Sequence, residues 1–265
     1  MKINGKNFTV GADPEVLLMH NQKFVSAHDL LPGDKENPFL VPFGAVQVDG
    51  MAAEFNIDPA SSYEEFNHNL TEVQNTLAGM IGDKEFIKKA SVQFTEEFAM
   101  TVPPLNRILG CSSDYNGWTQ EENPPPDGEA LMRTAGGHAH IGGFTSEDAF
   151  DLRHYRTCAR LARILDSTIG VYSILWDKDD DRRSMYGQAG AFRPKTYGME
   201  YRSLSNAWIF EKKLTRFVYD GVEKALELMF NKDYEPDPQI QDIINNSDRN
   251  SHFFQGNATA KSLGY

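Results

Sequence analysis

Residues 187–208 read G-Q-A-G-A-F-R-P-K-T-Y-G-M-E-Y-R-S-L-S-N-A-W. In extended chain, residues two apart share a face. Glu200 and Arg202 therefore set a carboxylate beside a guanidinium, with Arg193 close by in sequence. Such a trio suits a metal-bound polyphosphate, the carboxylate holding the cation and the arginines the phosphate oxygens. A surface strand with an ion pair would carry the same letters, so the stretch has to be weighed with what surrounds it.

Three further patches lie upstream. Residues 136–143, G-G-H-A-H-I-G-G, put His138 and His140 on one strand face between glycines that allow close backbone approach. The pair is either a metal or phosphate site or a solvated pair of imidazoles. Residues 8–19, F-T-V-G-A-D-P-E-V-L-L-M, read as a strand with Asp13 and Glu15 on one face and Pro14 marking an edge or bulge. Two carboxylates on one face repel and lose hydration unless a cation sits between them or they face water. In residues 46–57, V-Q-V-D-G-M-A-A-E-F-N-I, a strand ends at an Asp49-Gly50 turn and a second strand carries Glu54 between Ala53 and Phe55. Glu54 is there a paired group, a ligand or a surface residue.

Taken in order, G-A-D-P-E, A-A-E-F-N, G-C-S-S-D-Y-N, R-T-A-G-G-H-A-H-I-G, Y-G-Q-A-G-A-F-R and G-M-E-Y-R-S-L-S-N-A-W resemble the amidoligases of the glutamine synthetase and glutamate–cysteine ligase superfamily. Within it they resemble the phage-encoded COOH–NH2 ligases of type 2. The resemblance implies an α+β fold: a curved, mostly antiparallel sheet presenting ligands on one face, with helices packed on the other. It implies ATP and Mg2+ or Mn2+ as cofactors, and a small-molecule or peptide carboxylate and an amine as partners. Carried over residue by residue, Asp13, Glu15, Glu54, His138 and Glu200 are the expected metal ligands, with Asp49 a weaker one. Arg193 and Arg202 are expected on ATP phosphates, with His140 turned towards phosphate or substrate and Arg182 or Arg183 reaching nucleotide or substrate. Glu54, Asp114 and His140 are the candidate bases, and Asp114, Asn116 and Arg133 the candidate substrate contacts. Two departures stand out: Asp13 where many relatives use glutamate, and the five-residue step from Asp49 to Glu54. The phage-type resemblance also implies action in a host bacterial cytoplasm.

Composition agrees. The 265 residues are 40% hydrophobic, enough for one large core. A net charge of −12 with no basic run argues against a duplex nucleic-acid binder. No apolar run approaches a membrane span. Cys111 and Cys158 form no C-x-x-C and read as reduced thiols. No G-x-G-x-x-G or P-loop follows a strand, which disfavours a doubly wound parallel sheet.

The spacing predicts a helix opened by Ser62 and Glu65 in a capping box and running to about Ile81, with Phe66, Leu70, Val73, Leu77 and Met80 as its buried stripe. Further helices are expected from after Ser146 to about Trp176, over about 211–230, and near 240–244. Pro103-Pro104 and the three prolines at 124–126 bracket an irregular stretch read as part of a substrate pocket or as plain surface loop. Asp177 to Arg183, D-K-D-D-D-R-R, reads as a solvated charged loop. The expected organisation is a catalytic domain over 1–232 and a C-terminal extension over 233–265, an exposed arm whose Phe253 and Phe254 would dock on the body or on another subunit. Two other functions compete with ligation. A metal hydrolase is one, although H-x-H falls too late in the chain for an amidohydrolase barrel. A non-catalytic phage binding protein retaining the fold is the other.

Overall fold

Pro14 breaks the first long strand. In the computed structural model, which describes residues 1–107, 113–123 and 131–265, the single strand expected over 8–19 is two: β1 (Thr9–Ala12) and β2 (Glu15–His20). Proline supplies no donor to a ladder, and the chain uses this break to pass from one sheet to the other. β3 (Gly44–Asp49) and β4 (Ala52–Ile57) form a hairpin whose two-residue turn begins at Gly50, φ 59°. Helix α1 (Tyr63–Met80) follows, then β5 (Asp114–Asn116), β6 (Ala139–Gly142), α2 (Leu152–Leu165), α3 (Val171–Trp176), α4 (Asp180–Met185), β7 (Ala191–Lys195), β8 (Gly198–Tyr201), α5 (Lys212–Met229) and α6 (Gln239–Asn245).

One six-stranded sheet runs Glu122–Asn123, β5, β7, β8, β6, β1. The other contains Lys23–Val25, β2, β4, β3 and Phe39–Val41, with Glu85–Ile87 also paired to β2. Every described pairing is antiparallel, and neither sheet closes on itself among the described residues. The fold is α+β, with no barrel of parallel strands among the described residues.

Period-two alternation sorts the strand residues. Val10, Val16, Leu18, Val46, Ala53, Phe55, Ile57, Ala139, Ile141, Phe192, Met199 and Tyr201 belong to one core with the apolar stripes of α1, α2 and α5. Their neighbours Glu15, Gln47, Glu54, His140, Arg193 and Glu200 necessarily face the other way, away from these helices. At about 25 cal/mol per Å2 of apolar area, this core drives folding, and the opposite face is released for chemistry.

The helix ends follow local chemistry. Ser62 caps α1 by accepting from Glu65 N, while Glu65 reaches back to accept from Ser61 N. The second helix begins at Leu152 rather than just after Ser146, because Asp151 caps it by accepting from Arg153 N and His154 N. Between α2 and α3, Asp166–Gly170 winds as one π-helical turn.

One expectation is corrected and another is narrowed. Asp177 to Arg183 is not a solvated loop: Asp179 caps α4, and Arg182 and Arg183 are both buried. The tail over 251–265 is docked rather than exposed: Phe254 packs with Ile240, Ile243 and Ile244 against Val171 and Ile174 of α3, the docking on the body that is one of the two expected for it. Cys158 is buried and forms no disulfide among the described residues; Cys111 and the prolines at 124–126 lie outside the described residues. Among the described residues no helix is long and apolar enough to cross a membrane.

Candidate functional site

Two rows of polar residues cross the sheets on the face turned from the core. In the first sheet, Arg193 faces Glu200, Glu200 faces His140, and His140 faces Gly11 on successive strands. In the second, Glu15 faces Glu54 and Glu54 faces Gln47. The Asp13-Pro14 break joins the rows. Segment 136–138 is stitched into that break, Glu15 N donating to Gly136 O and Gly136 N to Glu15 Oε2, both at 2.9 Å. Gly137 admits no side chain there, because a Cβ would run into Ser205 O and the Trp208 indole nitrogen.

The rows meet at a cavity of roughly 360 Å3. Asp13, Glu15, Asp49, Glu54, Asp114, Arg133, His138, Arg193, Glu200 and Arg202, all singled out from the sequence, line it. His140 borders it through Asp13, its Nε2 lying 3.0 Å from Asp13 Oδ2. Two expected residues lie elsewhere. Arg183 points away and pairs with Asp177 at 3.3 Å in the interior; Arg182 lines the cavity in its place. Asn116 spends its side-chain oxygen on Trp118 N and Thr119 N, closing a turn.

Sequence reading missed Lys35, Gln47, Thr134, Tyr186 and Lys195 in the lining. Lys195 was within reach of a period-two argument, being two residues from Arg193 on β7. Lys35 comes from an irregular loop, where no periodicity marks a facing direction.

The carboxylates divide into two groups that could each hold a cation. Ligand atoms of Asp13, His140 and Glu200 lie within 4.8 Å of one another, as do those of Glu15, Asp49 and Glu54. The first group is surrounded by positive charge. Glu200, 1% exposed, pairs with Arg202, with Arg193 at 3.3 Å and with Lys195 at 3.0 Å. Asp13 approaches His138 Nδ1 at 3.1 Å. Burial alone would raise Asp13, but His140 and His138 hold it well below the ordinary carboxylate range. Burial likewise opposes ionisation of Glu200, and Arg202 with the two histidines overrides it. His140, despite burial, is raised by Asp13 and Glu200.

The second group is less evenly matched. Asp49 holds Lys35 at 2.8 Å and Arg133 at 3.1 Å, and these lower its pKa against burial. Glu54 forms no salt bridge among the described residues. Burial first, then Asp13, Asp49 and Glu15, push it well above the usual range. A buried carboxyl facing two others is the donor set that a hard divalent cation fits. Arg202 ties the pieces together, donating from Nε to Asp114 Oδ2 at 3.0 Å while its Nη1 holds Glu200.

No curated protein matches the chain. Residues 131–241, which carry His138, His140, Arg193, Glu200 and Arg202, match the model of the phage phiEco32-like COOH.NH2 ligase-type 2 family, and over this stretch the chain is similar to that family.

Proposed function

We propose that the chain is an ATP-dependent carboxylate–amine ligase, forming an amide bond through an acyl phosphate with Mg2+ or Mn2+ as its metal. The observation that carries this reading is the meeting of the two polar rows at one cavity, with guanidinium groups on the Glu200 side and the unmatched Glu54 on the other. The family's name supports the bond type.

The chemistry requires such a meeting. A carboxylate is a poor electrophile, and its oxygen becomes a leaving group only once phosphorylated. Two anions must then approach, so positive charge must surround the transferred phosphoryl group. In this reading Glu15, Asp49 and Glu54 hold one cation, and Asp13, Glu200 and a histidine of the pair hold another. Bound divalent ions would supply charge neutralisation at phosphate oxygens. Arg193 and Arg202, kept in place by Glu200, present donors to the phosphates, and Lys195 adds charge beside them. Glu54, Asp114 and His140 stand at the site as groups able to take the amine proton. The phage-type family suggests the host bacterial cytoplasm as the place of action.

The test is release of ADP and phosphate from ATP with Mg2+ over a panel of amino acids, polyamines and muropeptides. Release is expected only when a carboxylate and an amine are both present. Nucleotide turnover that no pair stimulates, together with no stabilisation by ATP and Mg2+, would count against the reading.

A further inference from the structure

His140 has few side chains beside it to hold its ring. Across the sheet it faces Glu200 on one side but Gly11 on the other, and two residues further along its own strand comes Gly142. Neither glycine carries a side chain, so packing from that side does not set the imidazole. The two ring nitrogens of a histidine are distinct, and the bond made by one decides how the other is presented. For His140 that partner is Tyr197, a residue the sequence motifs do not mark. Its hydroxyl is hydrogen-bonded to His140 Nδ1. On the far side of the ring, Nε2 lies 3.0 Å from Asp13 Oδ2.

Tyr197 does not fill the core. It is 40% exposed, and among the described residues it belongs to none of the hydrophobic clusters and has His140 as its only aromatic neighbour. Yet the turn that carries it, between β7 and β8, is firmly fastened. Gly143 N donates to Tyr197 O at 3.2 Å, and Ser146 N to Thr196 O at 2.8 Å. From α2, His154 Nε2 is shared between Lys195 O at 2.8 Å and Gly198 O at 3.1 Å, the two carbonyls that flank the turn. The same turn places Lys195 Nζ 3.0 Å from Glu200 Oε2. A half-exposed ring on a backbone fastened in this way, with its hydroxyl on a site histidine, is built to orient that histidine.

We infer that Tyr197 is the positioning residue for His140: its phenol holds Nδ1 and so keeps the ring with Nε2 towards Asp13. Outer partners of this kind fix the tautomer and orientation of a site imidazole, and losing one typically costs about 10–100-fold in metal affinity or activity. That the orientation serves catalysis rests on the ligase reading; that Tyr197 imposes it does not.

The experiment records long-range ¹H–¹⁵N spectra of the whole chain labelled with ¹⁵N-histidine. The His140 ring signals are those missing from His140→Gln. In the wild type they should stand apart from those of His252, which is exposed. In Tyr197→Phe both His140 ring nitrogens should move towards the His252 positions, while those of His154 stay, showing the turn still clasped. In the ligation assay the same variant should lose about 10-fold or more in kcat. Unchanged His140 signals in Tyr197→Phe would overturn the inference, and so would shifted signals with full turnover. Should the variant not fold, the wild type decides alone: His140 signals coinciding with those of His252 would mean that Tyr197 does not hold the ring. A wild type that ligates nothing, with His140 signals that still shift in Tyr197→Phe, would sink the ligase reading and leave the positioning of His140 in place.

Discussion

Glu15 and Glu54 stand directly opposite each other on neighbouring antiparallel strands, β2 and β4. Like charges in that position destabilise a sheet, and Asp49 adds a third carboxylate within 4.8 Å. Only a proton or a cation relieves the arrangement, and burial together with Asp13, Asp49 and Glu15 makes Glu54 the group that keeps a proton. Glu54→Gln is therefore expected to abolish ligation while leaving the metal-free melting temperature unchanged or higher. Saturating Mg2+ or Mn2+, worth about 2.7 kcal/mol to the wild type at 100 times its dissociation constant, should stabilise the variant much less. A large loss of metal-free stability would instead mark Glu54 as a structural partner.

A second carboxylate is buried away from the cavity. Asp166, in the π-helical turn, accepts from Tyr201 OH and from Trp118 Nε1, each at 2.6 Å, and burial raises its pKa from 3.8 to about 7. Because the folded form holds the proton more tightly than the unfolded chain, stability is greatest below pH 4 on this account. It declines as pH rises through the window from about 4 to 7. A shift of this size corresponds to roughly 4 kcal/mol across the window. Asp166→Asn keeps an acceptor for Trp118 and a polar partner for Tyr201, so its unfolding free energy should lose that part of the pH dependence. Parallel wild-type and variant curves in urea between pH 4 and 7 would show the carboxyl to be unshifted.

Much of this geometry was legible in the letters. Alternation alone separates Met199 and Tyr201 from Glu200, and Phe192 from Arg193, because a sheet with one covered face leaves no other choice. The capping of α1 by Ser62 and Glu65 was legible for the same local reason. What local pattern could not carry is which strands meet. Asp13 and Glu15 read as one pair, yet Asp13 lies in the break after β1, towards His138 and His140, while Glu15 opens β2 in the other sheet, opposite Glu54. Arg182 and Arg183 could not be told apart either. They are adjacent on a short helix, and only the position of Asp177 decides which is taken up in the interior. The acidic run before them looked solvated by composition, whereas Asp177, Asp179 and Asp180 are each engaged with Arg183, Ser91 and Arg249.

Arg202 bridges Glu200 and Asp114 from a buried position. Removing one partner of such a network leaves uncompensated charge, so Arg202→Met should lower stability by about 3–5 kcal/mol. Arg202→Lys keeps the charge but not the planar fork. It is expected to fold and to lose turnover by about 10²-fold or more, as for one missing transition-state donor. Chemical denaturation and steady-state rates check the two parts separately. A nearly silent Arg202→Lys would place the residue outside the reacting groups.

If the proposed ligase reading holds, the disposition of positive charge also bears on which bond of ATP would break. Arg193, Lys195 and Arg202 converge on Glu200, and the two carboxylate groups that could hold cations flank the same cavity. That concentration suits a terminal phosphoryl group in transfer, whose charge spreads over three oxygens. Adenylation would need the charge around the innermost phosphate, with pyrophosphate leaving. The expected products are therefore ADP and phosphate. With ¹⁸O in the substrate carboxylate, attack on the γ-phosphorus makes a carboxyl oxygen the bridge of the acyl phosphate. When the amine then displaces phosphate at the acyl carbon, that oxygen departs with the phosphorus. One ¹⁸O should accordingly appear in inorganic phosphate for each amide formed, measured by mass spectrometry or by the ¹⁸O shift in the ³¹P resonance. Label in AMP would assign adenylation, and unlabelled phosphate would mean that ATP is hydrolysed without activating the acid.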